Sequence, residues 1–487
     1  MASGITRRDF LKYGTCVAAQ AALSVAARGA TAGAAPPLNF VFILADDLGW
    51  SDVGCYGSDL HETPNIDRLA REGMRFTDAY AAAPVCSPTR ASIMTGKHPA
   101  RLHLTIWYEA SANPPQGRRL IPPVTQGNLA HEQVTIAEVL KEAGYVTAHV
   151  GKWHLGDAGH YPETQGFDVN IGGTFWGAPA TFFYPYRGAQ HYGGEFRYVP
   201  HLEFGSEGEY LTDRLTSEAI GILNKVKDKP FFLNLCYHTV HTPIEGKPEL
   251  VERYKKRVKP DMHHQNYEYA AMLHSLDENI GRILKTLDDL GMAGRTVVFF
   301  SSDNGGFINQ YEGKTVTDNY PLRSGKGSLY EGGVRVPLII KWPGVTKPGS
   351  TSGEMVSSID FYRTILDMRG LSGDAKHNAD VDGLSLVPLL KDPDAKLKRD
   401  ALYWHYPHYY ATTSPVSSIR RGDWKLLEYF EDSRVELYNL KDDLSERNDL
   451  AKKMPDKAVE LQTRLDAWRQ AVDAQLPAQN PKYKAKR

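Results

Sequence analysis

The sequence predicts an α/β fold: a doubly wound, mixed but mostly parallel sheet, with a small C-terminal α+β subdomain. Three features point there. Apolar, β-branched runs without alternation suit strands buried on both faces of a parallel sheet. Amphipathic helical stretches lie between those runs. After Leu390 the texture changes to short strand-like segments.

Taken in order, residues 39–45 (NFVFILA) are the first buried-strand run, and they end in Asp46-Asp47. Residues 63–70 offer a cap residue, a proline in the first turn and apolar positions at helical spacing, which predicts a helix. The alternation repeats with a helix at 135–143, a strand at 146–150, a helix at 211–225 and a strand at 231–237. Residues 267–290 place Leu273, Leu276, Ile280, Ile283, Leu284, Leu287 and Leu290 on one face, the longest amphipathic helix. It feeds a strand at 296–300 (TVVFF), which ends in Ser301-Ser302-Asp303-Asn304-Gly305-Gly306. Open parallel sheets bind ligands at the carboxyl ends of their strands, so the two acidic clusters are expected to face one crevice. A charged linker at 391–399 leads to strands at 401–406, 417–421 and 424–429, with Arg421-Gly422-Asp423 as a hairpin turn, and to a closing helix at 455–475. The expected division is a leader over 1–36, a catalytic domain over 37–395 and the subdomain over 396–487.

Composition excludes several classes. The chain has 487 residues, is 41% hydrophobic and carries 57 basic against 58 acidic side chains, so it is neither disordered nor, at this charge balance, electrostatically suited to nucleic acid. Past the leader no segment approaches the length of a transmembrane helix. Within the leader, Thr6-Arg7-Arg8-Asp9-Phe10-Leu11-Lys12 precedes a weakly apolar, Ala-rich stretch and an Ala30-Thr31-Ala32 cleavage site. This resembles a twin-arginine export signal, which implies folding before translocation and a periplasmic or extracellular destination. Of Cys16, Cys55, Cys86 and Cys236, three survive cleavage; an odd, dispersed set is not a disulfide framework, so at least one thiol has another fate.

Cys86-Ser87-Pro88-Thr89-Arg90 is the sharpest motif, and its continuation as a helix puts Cys86 at a helix start, where unpaired N–H groups favour an anion. Other blocks accompany it: Ala45-Asp46-Asp47-Leu48-Gly49, Gly151-Lys152-Trp153-His154-Leu155-Gly156, His238-Thr239-Val240-His241-Thr242-Pro243, Ser302-Asp303-Asn304-Gly305, and Gly325-Lys326-Gly327-Ser328-Leu329-Tyr330-Glu331-Gly332-Gly333. Together, and in this order over residues 38 to about 440, they resemble the type I sulfatases of the alkaline phosphatase superfamily. The resemblance implies that Cys86 is oxidised to formylglycine by a dedicated maturation enzyme. It implies metal ligation by Asp46, Asp47, Asp303, Asn304 and the side chain at 86, and sulfate binding by Arg90, Lys152 and Lys326. One hydroxyl of the hydrated aldehyde, deprotonated with help from Asp303, would attack sulfur while His241 or Lys326 protonates the departing alcohol. His154 would then take a proton from the other hydroxyl to expel the sulfate. His238 matches a position that often bears histidine. The family's further hydroxyl or asparagine near the sulfate finds no counterpart in residues 172–177 (GGTFWG).

The residue types fit this chemistry. Four hard oxygen ligands suit Ca²⁺, and Mg²⁺ less well; with no thiolate or imidazole in the expected set, zinc is disfavoured. Two adjacent carboxylates at the end of a buried strand repel each other unless a cation neutralises them. Arg90, Lys152 and Lys326 supply donors for charge on a sulfate ester. The run 404–410 (WHYPHYY) concentrates aromatics and histidines, as does the segment holding Trp176, Phe182, Phe183, Tyr184 and Tyr186. This suits a sugar's apolar face and hydroxyl edge, with His405 and His408 as hydrogen-bonding groups, and equally suits interdomain packing. A sulfated carbohydrate is thus the expected substrate, within polysaccharide degradation. The alternatives are a phosphonate monoester or phosphodiester hydrolase of the same superfamily and a non-catalytic binder of sulfated glycans.

Overall fold

The computed structural model describes residues 37–484; the expected leader lies outside them. The central sheet has eight strands. In chain order its strands are β1 (Asn39–Ala45), β2 (Met74–Phe76), β3 (Val146–Gly151), β4 (Val169–Ile171), β5 (Phe231–Cys236), β6 (Thr296–Ser302), β7 (Leu338–Lys341) and β8 (Ser350–Ser352). Across the sheet they run β8-β2-β7-β6-β1-β5-β3-β4. Only β7 is antiparallel to its neighbours. The expected mixed, mostly parallel sheet is therefore observed, and β2, β4, β7 and β8 extend it beyond the strands expected from the sequence.

β1 has no alternation because both of its faces are covered. Val41, Ile43 and Ala45 enter one core with helix α1 (Pro64–Glu72), α4 (Leu211–Val226) and α5 (Tyr267–Asp289). Phe40, Phe42 and Leu44 enter a second core with α2 (Cys86–Thr95), α3 (Ile136–Glu142) and α6 (Asp360–Arg369). The same split holds in β6, with Val298 and Phe300 on one side and Val297 and Phe299 on the other. At roughly 2 kcal/mol for each fully buried large apolar side chain, these central strands dominate the core. Thr135 caps α3 with a full capping box through Glu138, as the sequence of that turn favours.

The C-terminal part is a four-stranded antiparallel sheet of β9 (Leu402–Tyr406), β10 (Val416–Arg421), β11 (Trp424–Tyr429) and β12 (Val435–Asn439). One face packs on helix α7 (Pro455–Ala471) through Ile419, Leu426, Leu437, Leu461 and Leu465. The other face joins Trp404, Tyr406, Val416 and Leu427 to Tyr80, Val85, Leu329 and Val334 of the larger part. Arg421 pairs with Trp424, so Gly422, at φ 58°, forms the expected tight turn. Among the described residues no helix is long and apolar enough to cross a membrane.

Candidate active site

Ala45 pairs with Ser302 at the carboxyl ends of β1 and β6, and this register brings the acidic pairs together across the sheet. Asp47 takes a left-handed conformation, φ 60°, which costs a non-glycine residue about 1–2 kcal/mol. The turn lets its N–H donate to Asp303 Oδ1 at 3.2 Å. Ser302 Oγ ties the loops further, accepting from Leu48 N–H at 3.0 Å and donating to the Asn304 carbonyl at 2.9 Å.

Cys86 is the first residue of α2, preceded by Val85 in extended conformation with no side-chain cap, so the helix's first N–H groups stay free of a capping side chain. Its Sγ lies 3.5 Å from Asp46 Oδ1. Burial, with Asp303 adding to it, pushes the thiol up to about 12, so unmodified Cys86 is uncharged at neutral pH and a poor nucleophile.

Three cations close on the acids. Arg90 reaches Asp303 Oδ2 through Nε at 2.9 Å and a terminal nitrogen at 2.8 Å. Lys152 Nζ meets both oxygens of Asp46 at 3.0 and 2.8 Å, and Lys326 Nζ meets Asp47 at 2.8 Å. Gly151 is what lets Lys152 approach: it sits at φ 100°, and a Cβ there would lie 1.9 Å from the Cys236 carbonyl oxygen. Asp46, Asp47, Asp303, Lys152 and Arg90 are all buried.

The electrostatic balance is incomplete. Burial, reinforced by Asp303 and Asp47, pushes Asp46 up to about 7 in spite of Lys152. Burial works against Asp47 and Asp303 too, but Lys326 and His241 hold Asp47 low and Arg90 and Lys152 hold Asp303 well below the usual carboxylate range. The protein's own cations thus fail to keep all three carboxylates charged at neutral pH. In addition, Asn304 Oδ1 is buried without a hydrogen-bond partner, while its Nδ2 donates to Asp47 at 2.8 Å. Excess acid plus an unused hard oxygen is what a divalent cation would complete. The ligand atoms of Asp46, Asp47, Cys86 and His241 lie within 4.8 Å of one another. Asp303 and Asn304, expected in that set, adjoin it through the bonds just described, with Asp303 turned onto Arg90.

Two histidines flank this group. His241 Nε2 is 3.0 Å from Lys326 Nζ and its Nδ1 is 2.9 Å from the Thr242 carbonyl. Since an ammonium only donates and a carbonyl only accepts, these partners assign the proton to Nδ1 and leave Nε2 as acceptor. Burial, aided by Lys326, lowers His241 to about 3. His154 stands at φ 60° with neither ring nitrogen hydrogen-bonded, and burial with Lys152 and Arg90 nearby keeps it neutral. Gly177 makes room for that ring; a Cβ there would lie 2.4 Å from His154 Cε1. His238 is buried with Nδ1 unpartnered and does not line the cavity.

A cavity of about 240 Å³ opens over Cys86, Asp47, Lys326, His154 and His241. Its outer wall includes Trp107, Glu109, Tyr192, Arg197 and Tyr410. Of these only Tyr410, at the end of the run 404–410, falls in a segment the sequence points to; the others sit at the start of a five-residue helix, in a single 3-10 turn and on a two-residue strand, all too short for a periodicity to be read. His405 and His408 do not reach the cavity, contrary to the sequence expectation. His405 is bonded to Ser417 Oγ at 2.7 Å and the Gln475 carbonyl at 2.8 Å, and His408 to Thr105 Oγ1 at 2.7 Å. Both are buried, so the packing alternative holds for them, and burial lowers each to about 3. The segment 172–177 contributes Gly177 and no side-chain donor to the wall.

A second acidic–histidine cluster, Asp52, His61 and His264, is satisfied internally except at His264 Nε2, which faces Asp52 without a hydrogen bond. Asp52 accepts from Gly49 N–H, Tyr269 OH and Thr317 Oγ1, each at 2.6 Å, and faces His264 Nε2 at 3.2 Å. It braces the loop that follows Asp46-Asp47 and has little free valence for an ion.

The sulfatase family model matches residues 38–371, and the model for the C-terminal part of N-sulphoglucosamine sulphohydrolase matches 325–471. A sulfatase of Formosa agariphila is 33% identical over 88% of this chain and 88% of its own length. Human N-acetylgalactosamine-6-sulfatase is 32% identical over 80% of this chain and 75% of its own. The crystal structure of Ps i-CgsB in complex with k-i-k-neocarrahexaose superposes with a TM-score of 0.75 at 28% identity, covering 92% of this chain and 95% of that one. With this site at the strand ends and this match across nearly the whole described chain, the protein belongs to the sulfatase family and is a sulfatase, a hydrolase of sulfuric esters.

Proposed function

We propose that the protein removes sulfate from a sulfated saccharide, with residue 86 acting after oxidation of its thiol to formylglycine. The observation that carries this reading is that Cys86, Lys326 and two neutral histidines line one cavity, with Arg90 and Lys152 held behind it on Asp303 and Asp46. The modified side chain supplies the nucleophilic oxygen that the thiol lacks. A divalent cation, Ca²⁺ ahead of Mg²⁺, held by Asp46, Asp47, Asp303, Asn304 and the side chain at 86, would supply Lewis-acid stabilisation of charge.

The chain's own groups divide the remaining work. Lys326 Nζ lines the cavity and carries a proton that it shares with His241 Nε2, so this pair can bind a sulfate oxygen and deliver a proton to the departing alcohol. Arg90 and Lys152, locked on Asp303 and Asp46, place fixed positive charge beneath the sulfate. His154, neutral and free at both nitrogens, is poised to accept a proton from the side chain at 86. The neocarrahexaose bound to the structural neighbour and the aromatic cavity rim support a saccharide substrate. The twin-arginine-type export remains a reading of residues 1–36, which lie outside the described part.

Mass spectrometry of the tryptic peptide containing residue 86, from protein made with the maturation enzyme, should show the aldehyde. The same preparation should release sulfate from at least one member of a panel of sulfated sugars, with little action on phosphodiesters. An unmodified thiol in active enzyme would overturn the nucleophile, and a preference for phosphodiesters would overturn the substrate class.

A further inference from the structure

Apart from Lys326, the cavity wall carries one other basic chain, Arg197. Nothing in the chemistry above uses it. Its guanidinium lies 3.8 Å from the centroid of the Tyr192 ring and 5.2 Å from that of Trp176, and only 12% of the side chain is exposed. Stacking between aromatic faces fixes the plane of an arginine and removes much of its rotamer freedom before any ligand arrives. The platform is itself anchored, because Tyr192 OH donates to the Thr242 carbonyl at 2.6 Å, the same carbonyl that takes the proton of His241 Nδ1. Arg197 is thereby held in register with the histidine at the reacting end.

Its present partner is easily displaced. Nε and one terminal nitrogen both donate to a single oxygen of Glu195, at 3.0 and 2.8 Å, and the other terminal nitrogen makes only a 3.4 Å contact with the Ala178 carbonyl. Glu195 is 41% exposed and does not line the cavity, and exposed pairs of this kind contribute little. Glu109, the other acid on the wall besides Asp47, places its Oε2 4.0 Å from His154 Nε2 and feels the Arg197 charge without bonding to it.

We propose that Arg197 is a specificity-determining residue that binds a second anionic group, a carboxylate or a further sulfate, on the sugar carrying the scissile sulfate. This inference rests on the saccharide reading above. A planar guanidinium suits either group, since each offers paired oxygens.

The test compares matured wild type, Arg197→Met and Glu195→Gln on one monosulfated neutral sugar, the same sugar bearing a carboxylate, and the same sugar bearing a second sulfate. Wild type should prefer one of the charged sugars, and which one identifies the anion. Arg197→Met should raise KM for that sugar about 10- to 100-fold, the loss expected for a charge-assisted pair, while the neutral sugar changes about threefold or less. Glu195→Gln should act in the opposite direction, lowering KM for the charged sugar by freeing the guanidinium. Equal losses on all three sugars, or losses from both variants alike, would make Arg197 a structural brace and overturn the proposal, as would a wild-type preference for the neutral sugar. Wild type that cleaves an aryl sulfate but none of the sugars would instead overturn the saccharide reading on which the proposal stands.

Discussion

Asp46 and Glu446 are both wholly buried, and burial pushes both carboxyls up to about 7. Each sits in a network of acids and bases: Asp46 with Lys152, Arg90 and Asp303 at the strand ends, and Glu446 with Lys425, Glu331 and Arg335 where the C-terminal sheet meets the larger part. The surroundings separate them. Around Asp46 there is an open cavity, an unused Asn304 oxygen and, on the cavity wall, His154 with neither ring nitrogen bonded. Around Glu446 the apolar seam of Tyr80, Leu329, Trp404 and Leu427 is closed, and its one oxygen without a hydrogen bond, Oε1, faces the Lys425 ammonium. Lys425 Nζ bridges Glu331 at 2.7 Å and Glu446 at 3.1 Å, and Glu446 Oε2 accepts the Glu331 N–H at 2.6 Å. A perturbed carboxyl thus marks burial of charge, and function is located by what is left open beside it.

The sharpest way to break this comparison is to remove one central group from each network. Cys86→Ala should abolish sulfate release, by a factor on the order of 10⁴ or more, with little change in melting temperature. Lys425→Met should do the reverse, since it leaves Glu446 buried without a cation and Glu331 with Arg335 alone. A loss of about 3–5 kcal/mol in chemical denaturation is expected, with turnover per folded molecule retained. If Lys425→Met abolished turnover at full stability, the seam would be part of the reaction machinery.

The contrast also shows what the sequence could disclose. β1, β5 and β6 were legible because two cores cover the sheet, so their central positions are apolar on both faces, Asn234 excepted, and β1 and β6 then emerge at acidic pairs. The motif blocks were legible as separate segments, and strand register did the rest by joining Ala45 to Ser302. β7 was not legible: four residues are too few for a pattern to stand out, and it alone runs antiparallel. The run 404–410 misled for a physical reason. Along β9, Trp404 and Tyr406 turn into the seam while His405 faces Ser417 and Gln475; only Tyr410, beyond the strand, reaches the cavity. Composition proposes a sugar platform there, but alternation decides which side each ring takes. Glu109 lies in a five-residue helix and Arg197 on a two-residue strand, too short for either period to show.

A smaller effect sharpens the reading of Asp46. In metal-free protein its carboxyl holds a proton below about pH 7, and a divalent cation must displace that proton to bind. Calcium affinity of chelator-stripped protein should therefore be flat above pH 7 and fall about tenfold per unit below it. Calorimetric titration at pH 8, 7 and 6 measures this, and Lys425→Met should leave the profile unchanged. Equal affinity at pH 8 and 6 would mean that Asp46 is already ionised without metal, and the likeness to Glu446 would fail.

The smallest expected effect belongs to Glu446 itself. Its folded-state value, about 7, lies above the ordinary 4.5, so the folded protein holds a proton that the unfolded chain releases. Stability from this group is then fully present below about pH 4.5, declines as pH rises toward 7, and is flat above. Glu446→Gln keeps an acceptor for the Glu331 N–H and puts an amide where the protonated carboxyl stood. Below about pH 4.5, where the wild-type carboxyl is protonated in both states, it should shift unfolding free energy by about 1 kcal/mol or less, far below the cost of Lys425→Met. Relative to wild type, the variant should gain between pH 4.5 and 7, because it no longer pays to ionise a buried acid, and the difference should level off above 7. Denaturation of both proteins across that range reads the slope directly. A Glu446→Gln loss as large as that of Lys425→Met would show that Glu446 is ionised and paired in the folded protein, and the two networks would then differ in charge state as well as in openness.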